Sequence, residues 1–168
     1  MEPLIALVAV TALALAARRP ALLALRLGVA AMFTLTGVAH FVGLREELVA
    51  MVPPALPAPE LLVTISGVLE LLGAAGMMIA AIAPWAAAGL TAMLVAMFPA
   101  NVHLALTGTD LPFMEQLWPR TLLQIVFLAA TSTVVVAHWR RARATAGPQE
   151  QRPGQEQEGR TRSRTATS

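Results

Sequence analysis

The sequence predicts an all-α fold, namely a transmembrane antiparallel four-helix bundle with an additional N-terminal helix and a disordered C-terminal tail. Hydrophobic residues make up 57% of the 168 residues, and charged residues make up only 13%. Soluble domains average about 25% charged residues. The stretch from Leu71 to Thr109 contains no Asp, Glu, Lys or Arg. Its roughly 39 residues are about twice the ~20 that cross a bilayer as a helix.

Five apolar segments alternate with charged, proline-rich or short connections. They cover about residues 4–17, 22–43, 61–83, 85–106 and 121–139. The first segment is shorter than a typical span. Because its arginines follow the apolar run, it is interpreted as a retained helix and not as a signal peptide. The prediction therefore has two versions, with four or five spans. Pro84-Trp85 is expected to divide the long uncharged stretch at a minimal turn.

The distribution of arginine predicts the orientation in the membrane. One cluster lies at the first connection and consists of Arg18, Arg19 and Arg26. The other follows the last apolar segment and consists of Arg140, Arg141 and Arg143. Cytoplasmic connections are enriched in Lys and Arg, so the C-terminus is expected in the cytoplasm. All basic residues are Arg, and alanine is abundant. This composition suggests a GC-rich bacterial genome and hence a multi-pass protein of a bacterial inner (plasma) membrane.

The same features predict the division of the chain. Residues 1–20 are expected to form an N-terminal membrane helix, and residues 21–143 a four-helix transmembrane domain. Residues 144–168 are rich in Gln, Glu, Arg, Gly, Ser and Thr. Such a segment has little apolar surface to bury, so a disordered cytoplasmic tail is expected.

Several functions are excluded or disfavoured by composition. The chain has no cysteine, which excludes a dithiol relay, a thiolate metal site and a disulfide. The sequence has no phosphate-binding glycine loop, no HExxH and no nucleophile elbow. No catalytic residue and no metal site are therefore predicted, and the chain is not expected to be an enzyme by itself. Its excess arginine lies in short juxtamembrane patches and the tail, which does not indicate nucleic-acid binding. The expected surroundings are the lipid bilayer.

Glu70 is the most informative polar residue at membrane depth. It lies roughly 13 Å below the outer end of the third segment at 1.5 Å per residue. A charged carboxylate near the midplane costs about 2.5–3.5 kcal/mol even on lenient insertion scales. Glu70 is therefore expected to be protonated, paired, hydrated or turned towards the bundle interior. Two interpretations remain open, a functional ligand or proton site and a structural hydrogen-bonded clamp.

Other polar residues are predicted to share the outer half of the bundle with Glu70. The full candidate ligand or proton site is Glu70, His40, Asn101, Ser66 and Gln124. Asn101 follows Pro99, so it is interpreted either as a stabiliser of the expected kink or as a partner of Glu70. Ser66 and Gln124 are also consistent with simple interhelical hydrogen bonds.

Four stretches together resemble the DoxX-like family of small bacterial integral membrane proteins. They are Gly37-Val-Ala-His40-Phe41, Met51-Val-Pro-Pro, Ile65-Ser-Gly-Val-Leu-Glu70-Leu-Leu-Gly-Ala-Ala-Gly76 and Val95-Ala-Met-Phe-Pro-Ala-Asn101-Val-His103. The resemblance covers about residues 22–138. It implies a four-helix membrane bundle, to which the first helix is an addition.

The resemblance also implies a role. The family takes its name from a membrane subunit of an archaeal thiosulfate:quinone oxidoreductase, and its members look like membrane scaffolds for redox enzymes. The implied function is an accessory or scaffold subunit for a membrane-associated redox process, with an oxidoreductase as partner. The implied ligand is quinone-like or another small apolar molecule. The alternative is a non-catalytic membrane chaperone or assembly factor that holds a client helix against small-residue faces.

Overall fold

The computed structural model describes residues 2–107 and 117–146. These residues form six helices: α1 (Glu2–Ala16), α2 (Ala21–Ala39), α3 (Arg45–Ala50), α4 (Pro59–Met78), α5 (Ala83–Thr107) and α6 (Leu117–Ala146). No strand occurs in these described ranges, and the predicted all-α bundle is confirmed. The helices α2, α4, α5 and α6 are long and apolar enough to cross a membrane. The chain is therefore a multi-pass membrane protein in contact with lipid.

The N-terminal helix α1 is shorter than the four spans. Its 15 residues extend about 22 Å at 1.5 Å per residue, less than the ~30 Å of a bilayer core. Helix lengths thus support the four-span version of the prediction. The helix ends in a Schellman motif, in which the Arg18 amide donates to the Leu15 carbonyl and the Arg19 amide to the Ala14 carbonyl. Arg18 holds the left-handed position of this motif, with φ 57°.

The boundary between the third and fourth spans differs from the prediction. The helix α4 ends at Met78, and the turn covers residues 79–82. Pro84 lies in the first turn of α5 and does not divide the two spans. Proline fits this place because its missing amide would have no partner in the first turn of a helix. Pro84 therefore marks the start of α5, and the chain reverses its direction in the turn at residues 79–82.

Three further details refine the predicted segments. The short helix α3 lies in a connection where no helix was predicted. The following residues 51–58 are not helical, as their prolines require. The helix α6 continues to Ala146, beyond the predicted domain end at residue 143. The rest of the predicted tail, residues 147–168, lies outside the described residues.

The described residues divide into two compact units, residues 2–107 with 117–137 and residues 138–146. The first unit has one hydrophobic core, to which α1, α2, α4, α5 and α6 all contribute. Its buried members include Leu7, Phe33, Met77, Leu90 and Val134. In the second unit, the described residues are the last turns of α6. There the rings of His138 and Trp139 meet edge to face, with centroids 6.4 Å apart.

Candidate functional site

The helices α2 and α4 cross at two glycines, one from each helix. A Cβ on Gly37 would lie 2.9 Å from the side chain of Leu71 and 3.2 Å from the Cβ of Glu70. A Cβ on Gly67 would lie 2.6 Å from the Cβ of His40. Small residues let two membrane helices approach this closely. The close crossing brings the side chains of His40 and Glu70 together.

His40 and Glu70 form a buried pair of titratable groups. Each residue is only 3% exposed, and His40 Nδ1 lies 4.0 Å from Glu70 Oε2. His40 Nδ1 also lies 2.8 Å from the Thr36 carbonyl. Because a carbonyl only accepts, Nδ1 carries the proton of this hydrogen bond. Glu70 Oε2 has no hydrogen-bond partner among the described residues.

Two neighbours complete this site, and sequence analysis did not single out either of them. The Thr36 hydroxyl lies beside the Glu70 carboxyl, and its contacts to the Met32 and Phe33 carbonyls are long, at 3.4 Å each. Arg45 binds the backbone of His40. Its guanidinium donates to the His40 carbonyl at 3.2 Å and to the Thr64 hydroxyl at 3.0 Å, which ties the end of α2 to the start of α4.

The other predicted residues lie elsewhere. Asn101 Nδ2 donates to Gln124 Oε1 at 2.8 Å, and Gln124 Nε2 donates to the Leu94 carbonyl. Arg120 donates to Asn101 Oδ1 at 3.1 Å. Asn101 and Gln124 therefore form a polar clamp between α5 and α6, and the structure does not pair Asn101 with Glu70. Ser66 donates to the Val63 carbonyl of its own helix at 3.0 Å.

Arg26 has a structural partner that its sequence position did not reveal. Its Nε and Nη2 donate to the Met77 carbonyl at 2.9 and 2.6 Å. This carbonyl belongs to the last turn of α4, where the unpaired carbonyls carry partial negative charge. Arg26 thus stabilises the C-terminal end of α4 and fixes it against the first turns of α2.

A groove of about 460 Å³ lies between α1, α2 and α4. Its lining residues are Val10, Leu27, Ala30, Ala31, Thr34, Leu71, Ala74, Ala75 and Met78. None of the predicted site residues lines it. Leu71 lines the groove and also packs on Gly37, next to Glu70 in the chain. The groove and the His40–Glu70 pair are therefore neighbouring but separate features.

The chemistry of the His40–Glu70 pair is proton exchange and hydrogen bonding. A carboxyl group accepts or donates according to its protonation, and the second imidazole nitrogen, Nε2, is an acceptor in the tautomer that Thr36 imposes. Among the described residues, no three His, Asp or Glu side chains converge as metal ligands. An intramembrane ionisable pair of this kind is typical of ligand sites and proton relays in membrane proteins.

Four apolar spans and a buried His–Glu pair between α2 and α4 define a polytopic membrane protein with an ionisable group in its interior. The chain belongs to the family described as Domain of unknown function (DUF8561), which matches residues 29–135. This match starts within α2 and ends within α6. It includes the His40–Glu70 pair and the Asn101–Gln124 clamp, but neither α1 nor the C-terminal residues. No curated protein and no solved structure matches the chain.

Proposed function

We propose that this protein is a DoxX-like accessory or scaffold subunit for a membrane-associated redox process. In this proposal, it binds a quinone-like ligand, or another small apolar ligand with a polar headgroup, at the His40–Glu70 pair. The observation that supports the proposal is the buried Glu70 Oε2 without a hydrogen-bond partner among the described residues. Leaving a buried polar atom unsatisfied costs about 1–3 kcal/mol. A ligand that donates a hydrogen bond to this oxygen would recover that free energy.

The pair suits the headgroup of a quinol or quinone. A quinol hydroxyl would donate to Glu70 Oε2, and a quinone carbonyl would accept from a protonated carboxyl. His40 adds a second group that can hold a proton, since its Nε2 is not used in the bond to Thr36. The bundle then binds and orients the ligand, and the electron transfer belongs to a membrane-associated oxidoreductase as partner.

The proposed location is the inner membrane of a bacterium, with the C-terminus in the cytoplasm. The arginine clusters at the α1–α2 turn and at the end of α6 support this orientation. In this orientation His40 lies at the outer end of α2, and Glu70 lies near the middle of α4.

The test is purification of the full chain from native membranes in mild detergent, followed by mass spectrometry of bound quinones and co-eluting proteins. Glu70→Gln keeps the size of the side chain but removes the carboxylate, and we expect it to lower the retention of the reduced quinone, the quinol, by at least tenfold, the cost of a lost hydrogen bond to a charged group. Ser66→Ala is the matched control on the same helix, because Ser66 bonds only to its own helix. Equal quinone in all three proteins would refute the proposed site.

The alternative function, a chaperone or assembly factor that holds a client helix, is favoured by the surfaces of α5 and α6. In a hydrophobic stretch of 18 residues from each span, only 11% of the residues are buried in α5 and 17% in α6, against 39% in α2 and 33% in α4. Gly89, Ala92 and Ala96 lie on one exposed face of α5, which suits close helix packing. In this case Ala92→Leu would abolish co-purification of the client, whereas Glu70→Gln would behave as wild type.

A further inference from the structure

The groove between α1, α2 and α4 has the shape of a site for a hydrocarbon chain. It runs from Leu27 and Met78 at one end to Thr34 and Leu71 at the other. This distance is about 10 Å along either helix, at 1.5 Å per residue. Every lining residue except Thr34 is apolar. The groove is open on one side, and two of the three helices around it, α2 and α4, are candidate membrane spans, so lipid chains are the molecules that surround it.

One end of the groove carries positive charge. Arg26 precedes the groove residue Leu27 in the chain, and its guanidinium binds the carbonyl of Met77, next to the groove residue Met78. Arg18 and Arg19 lie at the same end, in the turn that joins α1 to α2, and both are exposed. Within the described part of the chain, neither of their side chains forms an ion pair or a hydrogen bond.

The carboxylates of the described residues do not neutralise these arginines. Four of them lie at the opposite ends of the helices, in the first turns of α1, α3 and α4: Glu2, Glu46, Glu47 and Glu60. Glu70 is buried beside His40. The three arginines therefore give this end of the apolar groove an excess of positive charge, which the headgroup of an anionic phospholipid complements.

We propose that this groove binds one acyl chain of an anionic phospholipid whose phosphate lies against Arg18, Arg19 and Arg26. Guanidinium groups bind phosphate through charge-assisted hydrogen bonds, and basic pockets between transmembrane helices bind anionic headgroups. Arg18 comes eight residues after the groove residue Val10, a distance of about 12 Å at 1.5 Å per residue. An acyl chain attached to a phosphate at the arginines is therefore long enough to reach the groove. This site goes beyond the proposed function, because Leu71 separates it from Glu70.

The headgroup part of the proposal is tested by lipid competition. The full-length protein is equilibrated in micelles with equal amounts of phosphatidylglycerol and phosphatidylcholine, and native mass spectrometry counts the retained lipids. Each arginine near a phosphate is worth roughly fivefold in affinity. Arg18→Gln with Arg19→Gln should therefore lower the preference for phosphatidylglycerol about 25-fold. Arg140→Gln with Arg143→Gln removes the same charge elsewhere and should leave the preference unchanged.

The binding of the acyl chain in the groove is tested by filling the groove with a larger side chain. Ala75 is an exposed groove residue, so Ala75→Leu occupies the space without disturbing the core and should reduce the retention of both lipids. Ala129→Leu adds the same atoms to an exposed position on α6 and should retain as much lipid as wild type.

Several results would overturn the proposal. The first is a wild-type protein that binds phosphatidylglycerol and phosphatidylcholine equally. The second is an equal loss of phosphatidylglycerol preference in the double variant at Arg18 and Arg19 and in the double variant at Arg140 and Arg143. The third is full lipid retention in Ala75→Leu. A quinone or a second copy of the chain that is displaced by Ala75→Leu would assign the groove to a different occupant. Because Glu70 is intact in all these variants, quinone retention at the His40–Glu70 pair is measured independently in the same samples.

Discussion

Gly67 provides the sharpest test of the packing that forms the site. Replacing it by alanine places a Cβ 2.6 Å from the Cβ of His40 and 2.9 Å from the ring of Phe41. Real Cβ atoms do not approach other atoms this closely, so α2 and α4 must move apart. Overpacking of this kind costs about 1–3 kcal/mol. Helix propensity favours alanine over glycine by only about 1 kcal/mol, so we expect Gly67→Ala to be destabilised overall.

Gly89 is the matched control. It lies within α5, is exposed, and has no atom within 4 Å of the place that a Cβ would take. Gly89→Ala therefore gains helix propensity without a steric cost and should be stabilised by up to about 1 kcal/mol.

The measurement is unfolding of the two purified variants and wild type in the same detergent, monitored by circular dichroism. We expect the two midpoints to lie on opposite sides of the wild-type value. If Gly67→Ala were as stable as Gly89→Ala, the close crossing of α2 and α4 would be wrong, and with it the pairing of His40 with Glu70.

Three further substitutions test other contacts by the same unfolding assay. Arg18→Gly should stabilise the protein by about 1 kcal/mol, because a left-handed backbone is costly for any residue with a Cβ; a loss of stability would place Arg18 in an unseen structural contact. Gln124→Ala should cost about 1–3 kcal/mol, since it leaves the Asn101 amide and the Leu94 carbonyl without their partner; an unchanged midpoint would contradict the polar clamp. Arg26→Ala should cost a similar amount and speed hydrogen exchange in the last turn of α4, where the Met77 carbonyl loses its donor; unaltered exchange there would contradict this contact.

The spans could be predicted because charge is so scarce in the apolar segments. Their exact ends could not, since Pro84 is compatible both with a turn and with the first turn of a helix. The structure places it in α5. The helix α3 was missed because its six residues are too few for a periodic pattern.

The depth of a residue in the membrane follows from the sequence, but its lateral neighbours do not. Antiparallel spans put Glu70 closer in depth to His40 than to Arg26, and the structure brings His40 and Glu70 within 4.0 Å. Asn101 and Gln124 were also predicted in the outer half of the bundle with Glu70, but they bond to each other between α5 and α6. The order and rotation of the helices decide this, and they depend on packing between residues far apart in the chain.

The contacts of Arg45 depend on the conformation of a connection and not on a helical pattern. Arg45 reaches Thr64, 19 positions away in the chain, through the geometry of the turn after α2. Thr36 was detectable in principle, because it precedes His40 by one helical turn and so shares its face. A search for hydroxyls one turn from each buried titratable residue would have identified it.

The most direct test of the central claim is the binding of a short-chain quinol to the purified full chain, measured under reducing conditions as ligand-induced stabilisation of wild type, Glu70→Gln and Ser66→Ala. If His40 and Glu70 form a ligand site, the quinol raises the unfolding midpoint of wild type and Ser66→Ala, and Glu70→Gln needs at least tenfold more ligand for the same shift, because the quinol hydroxyl loses its bond to a charged acceptor. If the quinol stabilises Glu70→Gln as much as wild type, or stabilises none of the three, Glu70 is a structural clamp between α2 and α4.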